Sequence, residues 1–156
     1  MSATDQLYWP YFSALARRLP GVVRVSLSDG DRMERLIAAS VSEKIYPAIF
    51  SMRPKYRILD TGAEQFYAVF SVTFYVFCAS DAQDEASQDA AFSQAETLAL
   101  AVLQQLRQDH LTRSDVEFEY ASAELEPVMM MTLDSTQGYE VKLKLTLSAN
   151  ACFSRL

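Results

Sequence analysis

Glycine, histidine and cysteine are all scarce in this chain of 156 residues, which holds four, one and two of them. The glycines (Gly21, Gly30, Gly62 and Gly138) fall in four separate predicted turns, so no glycine-rich loop is available to cradle a phosphate. The single histidine, His110, has no nucleophile near it in sequence that it could activate, and its place just after a predicted helix suits capping and dipole neutralisation better than base catalysis. Cys78 and Cys152 form neither a CxxC pair nor a metal set, and a disulfide between them is not expected in a reducing compartment. Basic residues are outnumbered by acidic ones, 14 to 20, for a net charge of −6. That balance argues against a sequence-specific nucleic-acid binder, which needs clustered Lys and Arg to neutralise phosphates. No apolar run approaches the roughly 20 residues of a membrane-spanning helix. The first residues also lack the basic flank and apolar stretch of a secretory signal, so a cytoplasmic location away from membranes is expected.

Half of the residues are hydrophobic, 22% are charged and 12% are aromatic, the composition of a globular chain. No repeat or low-complexity block divides it, and at roughly 100–200 residues per domain it is read as one domain, residues 1–156. Leu7, Tyr8, Tyr11, Phe12, Leu15 and Leu19 recur at helical spacing, predicting a helix over Thr4–Leu19. Pro10 belongs either in its first turn or at a kink, and Pro20-Gly21 ends it. Val22–Leu27 reads as a strand. Asp31–Glu43 has the form of a capped helix, with an extended path as the alternative. Ile45–Met52 and Tyr56–Leu59 read as strands, with Pro47 at a strand start or sheet edge and a turn over Asp60–Glu64.

The strongest strand pattern is Phe66–Cys78. Phe66, Ala68, Phe70, Val72, Phe74, Val76 and Cys78 share one face, which is assigned to the core. The opposite face carries Tyr67, Val69, Tyr75 and Phe77, too much apolar area for a wet surface. It is either a protein interface or is covered within the monomer by the N-terminal helix. At about 3.3 Å per residue the strand is longer than the domain requires, so a bend or a protruding half is expected. A long amphipathic helix follows over Gln88–Gln108, with Phe92, Ala95, Leu98, Val102 and Leu106 as its stripe and acidic residues at its start. Val116, Phe118 and Tyr120 alternate with Glu117 and Glu119. Leu125–Leu133 is a further strand, Asp134–Gly138 a turn, and Tyr139–Leu147 a half-buried strand with Lys142 and Lys144 outward. Strands joined by short turns pair antiparallel. The expected fold is therefore α+β: an antiparallel or mixed sheet, with an N-terminal helix and one long central helix packed on one face.

No residue is assigned a catalytic, cofactor-binding or metal-binding role. Asp81, Asp84, Glu85 and Asp89 lack the glycine-centred spacing of a calcium loop, and Glu117 and Glu119 read as the wet face of a strand. The run Met129-Met130-Met131 fits either core filling or a binding surface.

The N-terminal helix, Tyr46-Pro47-Ala48-Ile49-Phe50 leading into a long hairpin, one long helix after a polar loop, and a closing hairpin follow in that order. With the phrases Leu125-Glu126-Pro127-Val128 and Gly138-Tyr139-Glu140-Val141-Lys142-Leu143, this order resembles the tail-terminator (tail-completion, tail-to-head joining) proteins of long-tailed phages and prophages, over about Thr4–Leu147. The resemblance implies a non-enzymatic ring, typically a hexamer. That ring would cap the tail tube in a virion or tail-like particle and meet the head connector. An acidic lumen would let DNA slide past. Two other classes remain open. One is a small-molecule-binding or enzymatic α+β domain with a pocket lined by Tyr67, Tyr75, Phe118 and Tyr120, and the other is a dimerisation or adaptor module.

Overall fold

Apolar side chains at two different periods, near 3.6 and 2, build a helical layer on one face of a sheet. The structure is a computed structural model that describes residues 2–29, 45–131 and 135–153. The expected helix at Asp31–Glu43 lies outside them. A helical run opens the chain as a π-helical turn over Thr4–Tyr8 and continues as α1 (Trp9–Arg17). Pro10 sits at the start of α1, where the widened turn before it takes up the missing N–H, so the proline is absorbed without breaking the run. Gly21 then adopts φ 83°, a left-handed conformation that reverses the chain after the helix.

The strands are β1 (Arg24–Ser28), β2 (Ala48–Met52), β3 (Lys55–Asp60), β4 (Phe66–Ala79), β5 (Val116–Phe118), β6 (Glu124–Met131) and β7 (Ser135–Ser148). The long helix α2 spans Glu85–Thr112, and a short α3 (Asn150–Phe153) closes the described chain. All seven strands join one mixed sheet in the order β1-β2-β4-β7-β5, with β3 on β4 and β6 on β7. Only β1 and β2 run parallel; the other pairings are antiparallel. The length of β4 is therefore used in full. Its first half pairs with β3 and its second half with β2, along the same edge, while β7 runs beside it from Tyr67 to Ala79. On the far side of β7, β6 and β5 likewise divide one edge. The result is α+β, with α1 and α2 on one face.

That face holds the main core. Phe70, Val72, Phe74 and Val76 of β4, and Val141, Leu143 and Leu145 of β7, meet Ala95, Leu98, Ala99, Val102, Leu103 and Leu106 of α2. α1 adds Tyr8, Phe12 and Leu15, with rings tilted against those of the sheet at 5.4 Å (Tyr8–Phe70) and 5.3 Å (Phe12–Phe74) between centroids. Each fully buried side chain of this size contributes about 1.5–3 kcal/mol. A hydrogen bond fixes the two helices together: the Tyr11 hydroxyl donates to the buried carboxylate of Asp109 at 2.6 Å, which also accepts from Gln105.

Four expectations change. α2 extends beyond Gln88–Gln108 at both ends, because Asp84 caps it by accepting the Ala86 N–H at 3.0 Å and no breaker intervenes before extended Arg113. Phe92 is only half-buried, and Ala91 takes the inward place. Tyr120 leaves the strand pattern for a 3-10 turn. The supposed turn at Asp134–Gly138 is strand from Ser135 onward. Thr136, Gln137 and Gly138 there pair with Ala79, Cys78 and Phe77 and are buried. Gly138 is needed for close approach, since a Cβ there would lie 2.1 Å from the Val76 carbonyl oxygen.

Candidate interaction surface

The sheet face opposite the helices is the surface on which Tyr67, Val69, Tyr75 and Phe77 were placed by their alternation. α1 does not cover it, because α1 packs on the other face beside α2. The four residues nevertheless have different surroundings. Phe77 is 1% exposed and forms a small second core with Ile45, Ala48 and Phe50, flanked by Tyr46, Tyr75 and Val128. It is packed within the monomer, by the Ile45–Phe50 segment and not by the N-terminal helix, which corrects its place among the interface candidates. The cause is the β2–β4–β7 register, which sets Ala48 and Gly138 on either side of Phe77 and draws the neighbouring Phe50 against it.

Tyr75 lies half-buried, its ring stacked on that of Phe77 with 5.8 Å between centroids. Its hydroxyl donates to Glu140 Oε2 across the ladder at 2.6 Å, and Lys142 Nζ stands 3.5 Å from Glu140 Oε1. Burial pushes the Tyr75 pKa up to about 12, and the bond to the Glu140 carboxylate adds to the shift. Tyr67 and Val69 are half-buried in a groove of about 420 Å3, whose walls include Arg57 and Leu59 of β3, Lys144 of β7 and Glu117 of β5.

Beside this groove, β3 is exposed along its whole length. Leu59, opposite Tyr67, is 39% exposed on this face. Tyr56 and Ile58, opposite Phe70 and Ala68, are 39% and 38% exposed at the margin of the helix-covered face, where the Tyr56 ring keeps contact with Phe70 at 5.2 Å. Among the described residues β3 pairs only with β4, leaving its other edge open. The alternation Lys55-Tyr56-Arg57-Ile58 marks β3 as a strand with its apolar residues toward the core face, but it carries no signal that the strand's other edge stays open.

The charges of this face follow the register. On the β1/β3 side stand Arg24, Lys55 and Arg57; on the β5/β6 side stand Glu117, Glu124 and Glu126. The row Arg57–Val69–Thr146–Glu117 runs from cation to anion across the sheet. Among the described residues none of these six is in an ion pair, the pairs there being Arg53–Asp5, Arg113–Asp115 and Lys142–Glu140.

The other candidates have local roles. His110 Nδ1 accepts the Phe118 N–H at 3.3 Å, tying α2 to β5. Cys78 is buried, and burial pushes its thiol pKa up to about 11, which disfavours the reactive thiolate; Cys152 donates its thiol to Gln6 at 3.2 Å. Asp81 and Asp84 accept backbone N–H groups before and at the start of α2. No three described His, Cys, Asp or Glu side chains converge as a metal site would require. Met129 is exposed.

The four-aromatic pocket does not form. Tyr67 and Tyr75 lie on the back of the sheet, whereas Phe118 belongs to the main core and Tyr120 sits beneath Arg107 of α2. A cleft of about 480 Å3 beside α1 includes Tyr11, Arg18 and Arg113. Arg113 there is forked onto Asp115 at 2.9 and 2.7 Å, a bond that lowers the carboxyl pKa and raises that of the guanidinium. No described helix is long and apolar enough to cross a membrane. Compared with known proteins, the chain matches no family model and no curated sequence.

Proposed function

We propose that this chain is a non-enzymatic assembly subunit of the tail-terminator kind. It forms a ring with copies of itself, caps a phage-like tail tube and presents a surface to the head connector. The observation that carries this reading is the contrast between the two sides of the sheet. One side is closed by helices over a dense core, while the other keeps the half-buried Tyr67 and Tyr75 beside the open strand β3, whose partly exposed Leu59 shares their face. Such a surface suits protein contacts. His110, the residue best suited to base catalysis, has one ring nitrogen engaged by the Phe118 N–H.

The direct test adds the purified protein to a polymerising phage-like tail-tube protein. The expected result is short tubes with density at one end in negative-stain images. Unchanged elongation with bare ends would overturn the reading.

A further inference from the structure

The sheet has two unlike lateral edges, and their chemistry is complementary. The outer edge of β3 offers an unbroken strand without proline, all of it exposed, flanked by Lys55 and Arg57. The opposite edge, formed by β5 and β6, bears Glu117, Glu124 and Glu126 on the same face of the sheet. Each edge also has backbone groups not used by a neighbouring strand among the described residues. An exposed edge strand is a template for pairing with another chain unless something blunts it. β3 carries its full backbone edge without proline, whereas the β5/β6 edge, interrupted by Pro127 and by the three-residue length of β5, offers chiefly its glutamates.

We propose that the β3 edge of one copy receives the glutamate-bearing β5/β6 edge of a second copy, head to tail. This rests on the reading of the chain as an assembly subunit, and adds the surfaces that meet and their polarity. Glutamates and basic residues that make no ion pair among the described residues would find partners across the contact. Tyr56, Ile58 and Leu59 would lose the exposure that they have in the monomer. Because the two surfaces differ, each copy keeps one free edge of each kind after the first contact. Association then continues until the rotation closes a ring or a filament grows. An isologous dimer would instead set Lys55 and Arg57 of both copies against each other. Like charges placed together in a contact are costly.

The test uses two charge-reversed variants of the full chain, Lys55→Glu/Arg57→Glu and Glu117→Lys/Glu124→Lys/Glu126→Lys, each with far-UV circular dichroism matched to wild type. In the first, both edges are acidic; in the second, both are basic. Each alone should associate at least tenfold more weakly than wild type in sedimentation velocity. A 1:1 mixture should regain assembly with the two variants strictly alternating by native mass spectrometry, and raised salt should weaken it. Wild-type-like assembly by either variant alone would overturn the proposed edges and leave the ring reading standing, as would a mixture that fails to assemble. A wild-type protein that is monomeric at every concentration would overturn both.

Discussion

At the scale of single residues, environment separates side chains that alternation had grouped. Tyr67, Val69, Tyr75 and Phe77 share a face, but only register decides that Phe77 enters a second small core while Tyr75 bonds to Glu140 at its margin. Strand periodicity reveals which face a residue takes, and not what stands opposite it, because the partners of β4 lie as far away as β7. Gly138 illustrates the same limit. Glycine in sequence signals a turn, whereas here the backbone of β4 comes too close for any side chain. Tyr75 also gives a pH prediction. Its folded value of about 12 lies above the ordinary 10.0 because burial and Glu140 disfavour the phenolate. The folded state therefore keeps a proton that the unfolded chain gives up above pH 10. This contribution to stability is complete below about pH 10 and is lost as pH rises through about 12. Burial also raises the Tyr8 and Tyr11 values, which gives the same sign with the same onset near pH 10. Urea midpoints at pH 9 and 11 should fall less in Tyr75→Phe than in wild type. Equal falls would show that Tyr75 carries no such linkage.

At the scale of elements, α2 and β4 were legible because each satisfies one strong period. The α2 stripe is buried at Ala95, Leu98, Val102 and Leu106, as helical spacing requires. Its ends were less legible because they depend on a cap and on the absence of a breaker. Leu106 is fully buried between α2 and the sheet, so Leu106→Ala should cost about 2–5 kcal/mol, measured as a lowered denaturation midpoint. A midpoint within error of wild type would mean that α2 does not pack there. The weaker elements were misread where local chemistry competes with pattern. Tyr120 continues the alternation of Val116 and Phe118, yet turns away into a 3-10 segment whose Ser122 hydroxyl donates to the Glu119 carbonyl at 2.6 Å. The open strand β3 is the element most important to the functional reading. It was found as a strand, but its exposure was not, because nothing in Lys55–Asp60 announces which neighbour it lacks.

At the scale of the whole molecule, the layout of helices on one face followed from composition and period alone. The two-edged polarity of the other face did not, since it joins glutamates of β5 and β6 to basic residues about 60–100 positions earlier. Only the assembled sheet brings the rows together, with cations along one margin and carboxylates along the other. That polarity, with an open apolar strand on the cationic side, gives a physical basis for repeated head-to-tail contact. The most direct measurement is native mass spectrometry of the wild-type chain over a hundredfold range of concentration at low salt. The account predicts a closed oligomer of more than two copies, of one fixed number, that persists on dilution. A monomer, or a dimer that never grows, at every concentration would contradict it.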